Sequence, residues 1–279
     1  MIDIHCHLLP GIDDGPKNME TSLELSRLFV RAGYRHVITT PHWVFGTSWV
    51  PSPKTISEEV AKLNQKLKHE GINLTAHIGM EIALDNKIPE LLESHEITGL
   101  AGKSYMLVEA PFLRLPLGWE EIFFSILSKG YKIIVGHPER CAHLAEKNGI
   151  IDEFIRAGLY LQVNWSSFLG YYGPEAAQMA NYMAANGYIH CLATDSHDLR
   201  NRHPGHVKKA INLVEKLVGT SNLNLLAKEN PVRVLKGDPL VPMSRLDLHG
   251  KAPRTQGWVS KVFKRISPSP NPSRQGRGI

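Results

Sequence analysis

The chain has 279 residues, of which 42% are hydrophobic and 21% are charged. This composition is typical of a folded globular enzyme and is too apolar for a disordered chain. No segment approaches the roughly 20 consecutive apolar residues of a membrane-spanning helix. The first residues also lack the basic start and long apolar stretch of a secretory signal. Together with three cysteines without a CxxC spacing, these features argue against an integral membrane protein and a disulfide scaffold, and predict a cytoplasmic protein.

The formal net charge of +5 is concentrated near the end of the chain. Residues 245–279 carry eight Lys or Arg and one acid, whereas residues 1–244 carry 24 basic and 26 acidic residues. The basic charge is therefore poor evidence of nucleic-acid binding, and we predict no nucleic-acid partner. We predict a catalytic domain at 1–244 and a disordered, Pro- and Ser-rich tail at 245–279. Aromatic and basic residues interleaved in that tail would allow weak docking to a membrane surface.

Short β-branched runs alternate along the chain with longer amphipathic stretches. We predict seven strands, near residues 1–5, 34–39, 73–79, 105–109, 131–135, 159–163 and 189–193. The helical patterns lie near residues 18–32, 55–69, 119–129, 150–157, 174–185 and 207–218. Asn18 is placed to cap the first of these helices. Seven strand–helix units in series predict an α/β fold with a parallel sheet, and the periodicity leaves open whether that sheet closes into a barrel.

Histidines and acidic residues follow the ends of nearly all the predicted strands. The candidates are His5, His7, Asp14, His42, Glu81, Glu109, His137, Asp195 and His197. The carboxyl ends of parallel strands meet at one edge, where active sites of α/β folds are built. Imidazole and carboxylate groups are ligands for hard-to-borderline divalent cations. Since five histidines and four acids exceed the ligand set of one ion, we predict two or three ions that share a bridging carboxylate.

Each of these residues has a structural alternative when it is taken alone. Asp14 precedes Gly15 and Pro16, a position where aspartate is common for reasons of turn geometry. Glu81 and Glu109 could be surface acids at strand ends. The metal-site hypothesis therefore depends on the coincidence of all nine residues at strand ends.

Two arginines accompany the candidate ligands. Arg140 follows His137 by three residues, and Arg202 follows His197 by five. A guanidinium group binds phosphate oxygens in a bidentate manner and stays charged, which favours phosphoryl chemistry beside a multinuclear metal centre. The alternative is that each arginine forms a salt bridge with a ligand carboxylate. A cysteine-dependent phosphatase is excluded, because none of the three cysteines has an arginine six residues after it.

As a set, these motifs resemble the polymerase and histidinol phosphatase (PHP) superfamily. The motifs are MIDIHCH (1–7), GIDDGP (11–16), TPH (40–42), GMEI (79–82), GHPER (136–140) and ATDSH (193–197). Within it, the DDGP and HPER segments resemble the manganese-dependent protein tyrosine phosphatases of bacterial capsule and exopolysaccharide operons, the CpsB/YwqE-like group. The resemblance covers residues 1–240. It implies a distorted, seven-stranded, TIM-like β/α barrel with Mn²⁺ as cofactor, Fe or Zn being alternatives.

The resemblance also implies roles for individual residues. The first ion would be held by His5, His7, Glu81 and Asp195. Glu81 would bridge to a second ion held by Glu109 and His137, and a third would be held by Asp14, His42 and His197. Arg140 and Arg202 match the phosphate-binding arginines. The chain departs from the family pattern in the aromatic, apolar loop at 43–49.

The leading hypothesis is a protein-tyrosine phosphatase that acts on a bacterial tyrosine kinase of capsule or exopolysaccharide biosynthesis through metal-activated hydroxide. A second hypothesis keeps the site and changes the substrate to a small phosphomonoester such as histidinol phosphate. A third is an amidohydrolase-like metal hydrolase. Glu109 counts against this hypothesis, because amidohydrolases typically have a lysine at the end of that strand. The fourth is a binding module without activity, which the complete set of candidate ligands disfavours.

Overall fold

The computed structural model describes residues 1–146 and 149–244, so the predicted tail at 245–279 and its membrane docking lie outside the described residues. The strands are β1 (Ile2–Cys6), β2 (His36–Thr39), β3 (His42–Trp43), β4 (Thr75–His77), β5 (Glu81–Ala83), β6 (Tyr105–Glu109), β7 (Lys132–Gly136), β8 (Tyr160–Asn164) and β9 (Cys191–Ala193). The helices are α1 (Met19–Arg31), α2 (Pro53–His69), α3 (Ile88–Glu93), α4 (Trp119–Ser128), α5 (Ala142–Glu146), α6 (Gly149–Arg156), α7 (Pro174–Ala185), α8 (Val207–Asn224) and α9 (Asn230–Lys236).

The strands form two sheets in which every pair is parallel, which confirms the predicted α/β class. One sheet has the order β1-β2-β4 and the other has the order β3-β5-β6-β7-β8-β9. A parallel bridge between Cys6 and Ser196 joins the end of β1 to the segment after β9. The described residues thus contain nine strands where seven were predicted, and the closed seven-stranded barrel stays a prediction.

The two additional strands arise from interruptions. β3 begins three residues after β2 ends, and Pro41 stands between them. Proline has no backbone N–H to donate to a sheet ladder, so it separates strands at such a position. β4 and β5 are likewise separated by residues 78–80, and Glu81 lies at the start of β5 rather than after a longer strand.

The predicted helices are present, with small shifts at their ends. Asn18 caps α1 as predicted, because its side chain accepts a hydrogen bond from Thr21 N at 3.0 Å. α8 extends six residues beyond its predicted end at 218. The unpredicted helices α3, α5 and α9 have 6, 5 and 7 residues, too few for a hydrophobic period to identify them.

Apolar side chains from both sheets and the surrounding helices form the core. The strands are buried almost throughout, as is typical of parallel sheets covered by helices on both faces. The polar side chains buried with them are concentrated at the carboxyl ends of the strands, and His5, Glu81 and Gln162 are fully buried there. Within the described residues, no helix is both long enough and apolar enough to span a membrane.

Candidate metal centre

All nine candidate ligands converge at the carboxyl edge of the sheets. Their ligating atoms form four groups in which the atoms lie within 4.8 Å of one another. The groups are His7, Asp14, His42 and His197; His5, His7 and Glu81; His5, His137 and Asp195; and His42, Glu81 and Glu109. The predicted convergence is therefore present in the structure.

Glu81 lies at the centre of the cluster and contacts four imidazoles. Its Oε1 is 2.8 Å from His137 Nε2 and 3.2 Å from His5 Nε2. Its Oε2 is 3.2 Å from His7 Nε2 and 3.1 Å from His42 Nδ1. A carboxylate with each oxygen between two imidazoles has the geometry that a bridging ligand needs.

Asp14 lies at the outer side of the cluster, between two histidines. Its Oδ1 is 3.2 Å from His197 Nε2 and 3.5 Å from His42 Nε2. The adjacent Asp13, rather than Asp14, makes the turn, because Gly15 N donates to Asp13 Oδ1 at 3.0 Å. A Cβ at Gly15 would lie 2.8 Å from a backbone oxygen, so the turn requires glycine. The turn-forming role that was the structural alternative for Asp14 is thus filled by Asp13.

Hydrogen bonds on the outer side of the cluster orient the two histidines of β1 and its following loop. Asp13 Oδ2 lies 2.7 Å from His7 Nδ1, and Gln162 Oε1 lies 2.8 Å from His5 Nδ1. With Nδ1 engaged, both rings direct Nε2 towards the centre, where the two nitrogens are 3.3 Å apart. Metal-binding histidines characteristically donate their other ring nitrogen to such an acceptor.

Asp13 and Gln162 are therefore site residues that sequence reasoning missed. Gln162 Nε2 donates to Asn164 Oδ1 at 2.7 Å, and Asn164 Nδ2 donates to Asp195 Oδ2 at 3.0 Å. One continuous chain thus links His5 to Asp195. The signal available in the sequence was the pair of amides at alternate positions of an otherwise apolar strand, 160–164.

Two of the candidate ligands have an unusual backbone conformation. His137 has φ of 28° and Asp195 has φ of 50°, in the left-handed region that non-glycine residues rarely adopt. Asp195 N donates to His5 O at 3.0 Å, which fixes this segment against the end of β1. Such strain, on the order of 1 kcal/mol or more per residue, is characteristic of functional sites.

Both arginines reach the cluster, and both contact the same carboxylate. Arg140 Nη1 is 2.9 Å from Asp195 Oδ2, and Arg202 Nη2 is 3.1 Å from Asp195 Oδ1. The guanidinium carbon of Arg140 lies 4.6 Å from the ring centre of Phe112 and 4.3 Å from that of Tyr172. The salt bridges that were the alternative for these arginines are thus present, and their position beside the ligands also suits an anionic substrate.

The electrostatics of the cluster fit divalent cations. Burial, followed by the negative charges of Glu81 and Asp195, raises the pKa of Glu109. Two buried atoms of the cluster, Glu81 Oε2 and His42 Nδ1, lie 3.1 Å apart but are not oriented to form a hydrogen bond. A cation supplies the positive charge that the carboxylates require and a bond to each of these atoms. The residues present therefore fit a centre of two or more divalent ions.

Parallel sheets with an imidazole–carboxylate cluster at their carboxyl edge are typical of metal-dependent hydrolases of the α/β class. The chain belongs to the family described as capsular polysaccharide synthesis, CpsB/CapC, which matches residues 1–236. It is 31% identical over 255 residues to the tyrosine-protein phosphatase YwqE of Bacillus subtilis, covering 90% of this chain and 99% of that protein. It is 28% identical to the tyrosine-protein phosphatase CpsB of Streptococcus pneumoniae, covering 84% of this chain and 98% of that protein.

Solved structures agree with this assignment. A chain from the crystal structures of the metal-dependent tyrosine phosphatases YwqE and CpsB superposes with a TM-score of 0.81 at 30% identity, covering 87% of this chain and 97% of that one. An amidohydrolase from Mycoplasma synoviae superposes with a TM-score of 0.57 at 13% identity and shares the fold alone. The predicted membership in the CpsB/YwqE-like group is therefore confirmed.

Proposed function

We propose that this chain is a metal-dependent protein-tyrosine phosphatase in which the nine converging side chains hold two or three divalent cations. The observation that carries the proposal is the set of four donor groups that the nine side chains form, two of which share Glu81, with Arg140 and Arg202 beside them. Mn²⁺ is the proposed ion, and Fe or Zn would suit the same imidazole and carboxylate ligands. The tyrosine phosphatases named among the relatives of this chain support the reaction.

The ligand sets proposed from the resemblance agree with these groups in part. The second set does not occur as one group, because Glu81 and Glu109 group with His42, whereas His137 groups with His5 and Asp195. The proposed third set, Asp14, His42 and His197, lies within one group, to which the structure adds His7. Glu81 contributes to two groups, as a bridging ligand would.

The catalytic domain is proposed to span residues 1–244, and the family match at 1–236 supports this boundary. Within it, the two sheets are proposed to act as one distorted seven-stranded barrel, with β2 and β3 as one interrupted strand and β4 and β5 as another. The bridge between Cys6 and Ser196 supports this arrangement.

A cytoplasmic location is also proposed, and three free, buried cysteines support a reducing environment.

The nine converging side chains would hold divalent ions, and ions bound there would lower the pKa of water towards neutrality and offset charge on the phosphoryl group. The protein side chains then position the substrate. Arg140 and Arg202 bind the equatorial oxygens of the phosphoryl group, on which charge is spread during transfer. The rings of Phe112 and Tyr172 both contact the guanidinium of Arg140. The phenolate of tyrosine, with a pKa of about 10, leaves more readily than a serine alkoxide.

The proposed substrate is a phosphotyrosine-bearing protein, in particular a bacterial tyrosine kinase of capsule or exopolysaccharide biosynthesis. The capsular polysaccharide synthesis family and the tyrosine phosphatases among the relatives support this choice. A histidinol phosphate phosphatase from Lactococcus lactis superposes with a TM-score of 0.52 at 17% identity, which shows a shared fold alone. No contact in the described site favours histidinol phosphate over phosphotyrosine.

The experiment is to strip the metal, add back Mn²⁺, Zn²⁺, Fe²⁺ or Mg²⁺, and measure hydrolysis of a phosphotyrosyl peptide and of histidinol phosphate. We expect activity on the peptide to be lost on chelation and restored by Mn²⁺. Arg140→Ala should reduce turnover by about 100-fold or more. The control is Arg27→Ala, because Arg27 forms a surface ion pair with Glu70. Full activity after complete chelation would refute the proposal.

A further inference from the structure

Exposed apolar side chains are concentrated in loops that follow strands of the candidate metal centre. Among the described residues, seven of the nine large apolar side chains that are clearly exposed belong to three loops, which follow β3, β6 and β8. These seven, here called the apolar rim, are Phe45, Trp49, Val50, Phe112, Leu113, Leu117 and Tyr171. A cluster of exposed apolar side chains on one side of a protein marks an interaction site.

The apolar rim is continuous with the site. The indole of Trp49 stacks on the ring of His42 with a centroid distance of 5.3 Å. The ring of Phe112 lies 6.1 Å from that of His137 and contacts the guanidinium of Arg140. A molecule that covers the rim therefore reaches the arginines proposed to bind phosphate.

The loop after β6 is held in place although its side chains are exposed. Its backbone is fixed where Ala142 N donates to Phe112 O at 2.8 Å, and the side chain of Leu115 is buried. Leu113 nevertheless exposes 83% of its surface, and Leu117 is fully exposed. Because the backbone is already ordered, little conformational entropy is lost when a partner covers these leucines.

We propose that the apolar rim binds the polypeptide on either side of the phosphotyrosine and selects substrates with large apolar residues at those positions. This inference rests on the proposed function and specifies the substrate class of the same site. The phosphoryl group reaches Arg140 and Arg202, while flanking side chains of the substrate cover Leu113, Leu117 and Trp49. The departure from the family pattern at 43–49 thereby acquires a role in specificity.

Charge favours a peptide over a membrane as the occupant of the rim. Segments 44–50, 110–118 and 170–173 together contain one charged residue, Arg114. Surfaces that dock to anionic lipid combine apolar side chains with several Lys or Arg.

The test compares two synthetic phosphotyrosyl peptides, one with Leu and Phe on both sides of the phosphotyrosine and one with Ser and Gly there. Binding is measured by fluorescence anisotropy and turnover as kcat/KM, with the full chain loaded with Mn²⁺. We expect the wild type to prefer the apolar peptide by about tenfold, and the double variant Leu113→Ser, Leu117→Ser to lose that preference. Turnover of p-nitrophenyl phosphate should be unchanged. The control, Leu213→Ser, replaces an exposed leucine of α8 outside the rim.

Equal affinity of the wild type for the two peptides would overturn the proposal, as would an equal loss in the Leu213 variant. Binding to phosphatidylglycerol vesicles that depends on Leu113 and Leu117, without a peptide preference, would assign the rim to a membrane. A dimer in sedimentation experiments that the double variant dissociates would assign it to a second copy of the chain. If the proposed function is wrong, the protein will not hydrolyse p-nitrophenyl phosphate. Peptide binding measured by fluorescence anisotropy still tests the apolar rim in that case.

Discussion

Replacing Gln162 with leucine would test whether the amide chain behind the cluster orients the ligands. Gln162 is fully buried. Its Oε1 lies 2.8 Å from His5 Nδ1, and its Nε2 donates to Asn164 Oδ1 at 2.7 Å. Leucine has a similar size and keeps the site filled, but it removes both hydrogen bonds. His5 Nδ1 then has no partner to fix its ring, and Asn164 is held less firmly against Asp195.

The expected effects follow from these two lost bonds. Each of the two buried polar atoms left without a partner costs about 1–3 kcal/mol, so the free energy of unfolding of Gln162→Leu should fall by about 2–6 kcal/mol. Loss of the hydrogen bond that orients a ligating histidine lowers metal affinity by about 10–100-fold. The affinity for Mn²⁺ should therefore fall in addition to the stability of the metal-free protein.

The two effects are measured separately, Mn²⁺ affinity by competition with a fluorescent chelator and stability by urea unfolding in the presence of EDTA. Asn230→Leu is the matched control. Asn230 is a fully buried amide away from the cluster, and its Nδ2 donates to His190 O and to Val241 O at 2.8 Å each. It should lose stability and keep its Mn²⁺ affinity. Wild-type affinity in Gln162→Leu, or an equal decrease in Asn230→Leu, would refute the role of the amide chain.

Two further outcomes are expected. Tyr172→Leu should raise the inhibition constant of inorganic phosphate several-fold, because the ring that contacts Arg140 is lost, whereas Tyr172→Phe, which keeps the ring, should match the wild type. Burial lowers the pKa of His190 from 6.5 to about 4, so the unfolded chain binds more protons between these values and stability should fall as the pH falls from 6.5 to 4. In urea unfolding experiments, the free energy of unfolding of His190→Gln should fall by up to about 3 kcal/mol less than that of the wild type over this pH range.

The convergence of the ligands could be predicted from the sequence because it follows from topology. In parallel sheets all strands end at one edge, so residues as far apart as His5 and Asp195 must approach once the strands are identified. The helix caps were equally accessible, since Asn18 and its partner Thr21 are three residues apart. Local spacing and strand direction were sufficient in both cases.

The positions of Asp13 and Asp14 could not be separated from sequence alone. Both precede Gly15, and either aspartate could have made the turn. The outcome depends on Gly15, where the absence of a side chain lets the backbone pack against His7 O. Asp13 then bonds the turn and His7, and Asp14 faces His197. The roles of the two aspartates therefore depend on a tertiary contact, which sequence spacing does not predict.

The same limit applies to the short strands and to the arginines. β3 and β5 have 2 and 3 residues, too few for an alternating pattern, and they exist because neighbouring strands pair with them. For Arg140, phosphate binding and a salt bridge were both open. The contact with Asp195 establishes the salt bridge, and a phosphoryl group bound as proposed would compete with that carboxylate for the same guanidinium.

The ligands and the apolar rim are held by different parts of the fold, and this separates metal binding from substrate choice. His5, Glu81 and Glu109 lie on strands whose backbones are fixed by ladder hydrogen bonds. Leu113 and Leu117 lie on a loop whose side chains project into solvent. The two proposals together therefore predict that substitutions of Leu113 and Leu117 change substrate preference and leave the affinity for Mn²⁺ unchanged.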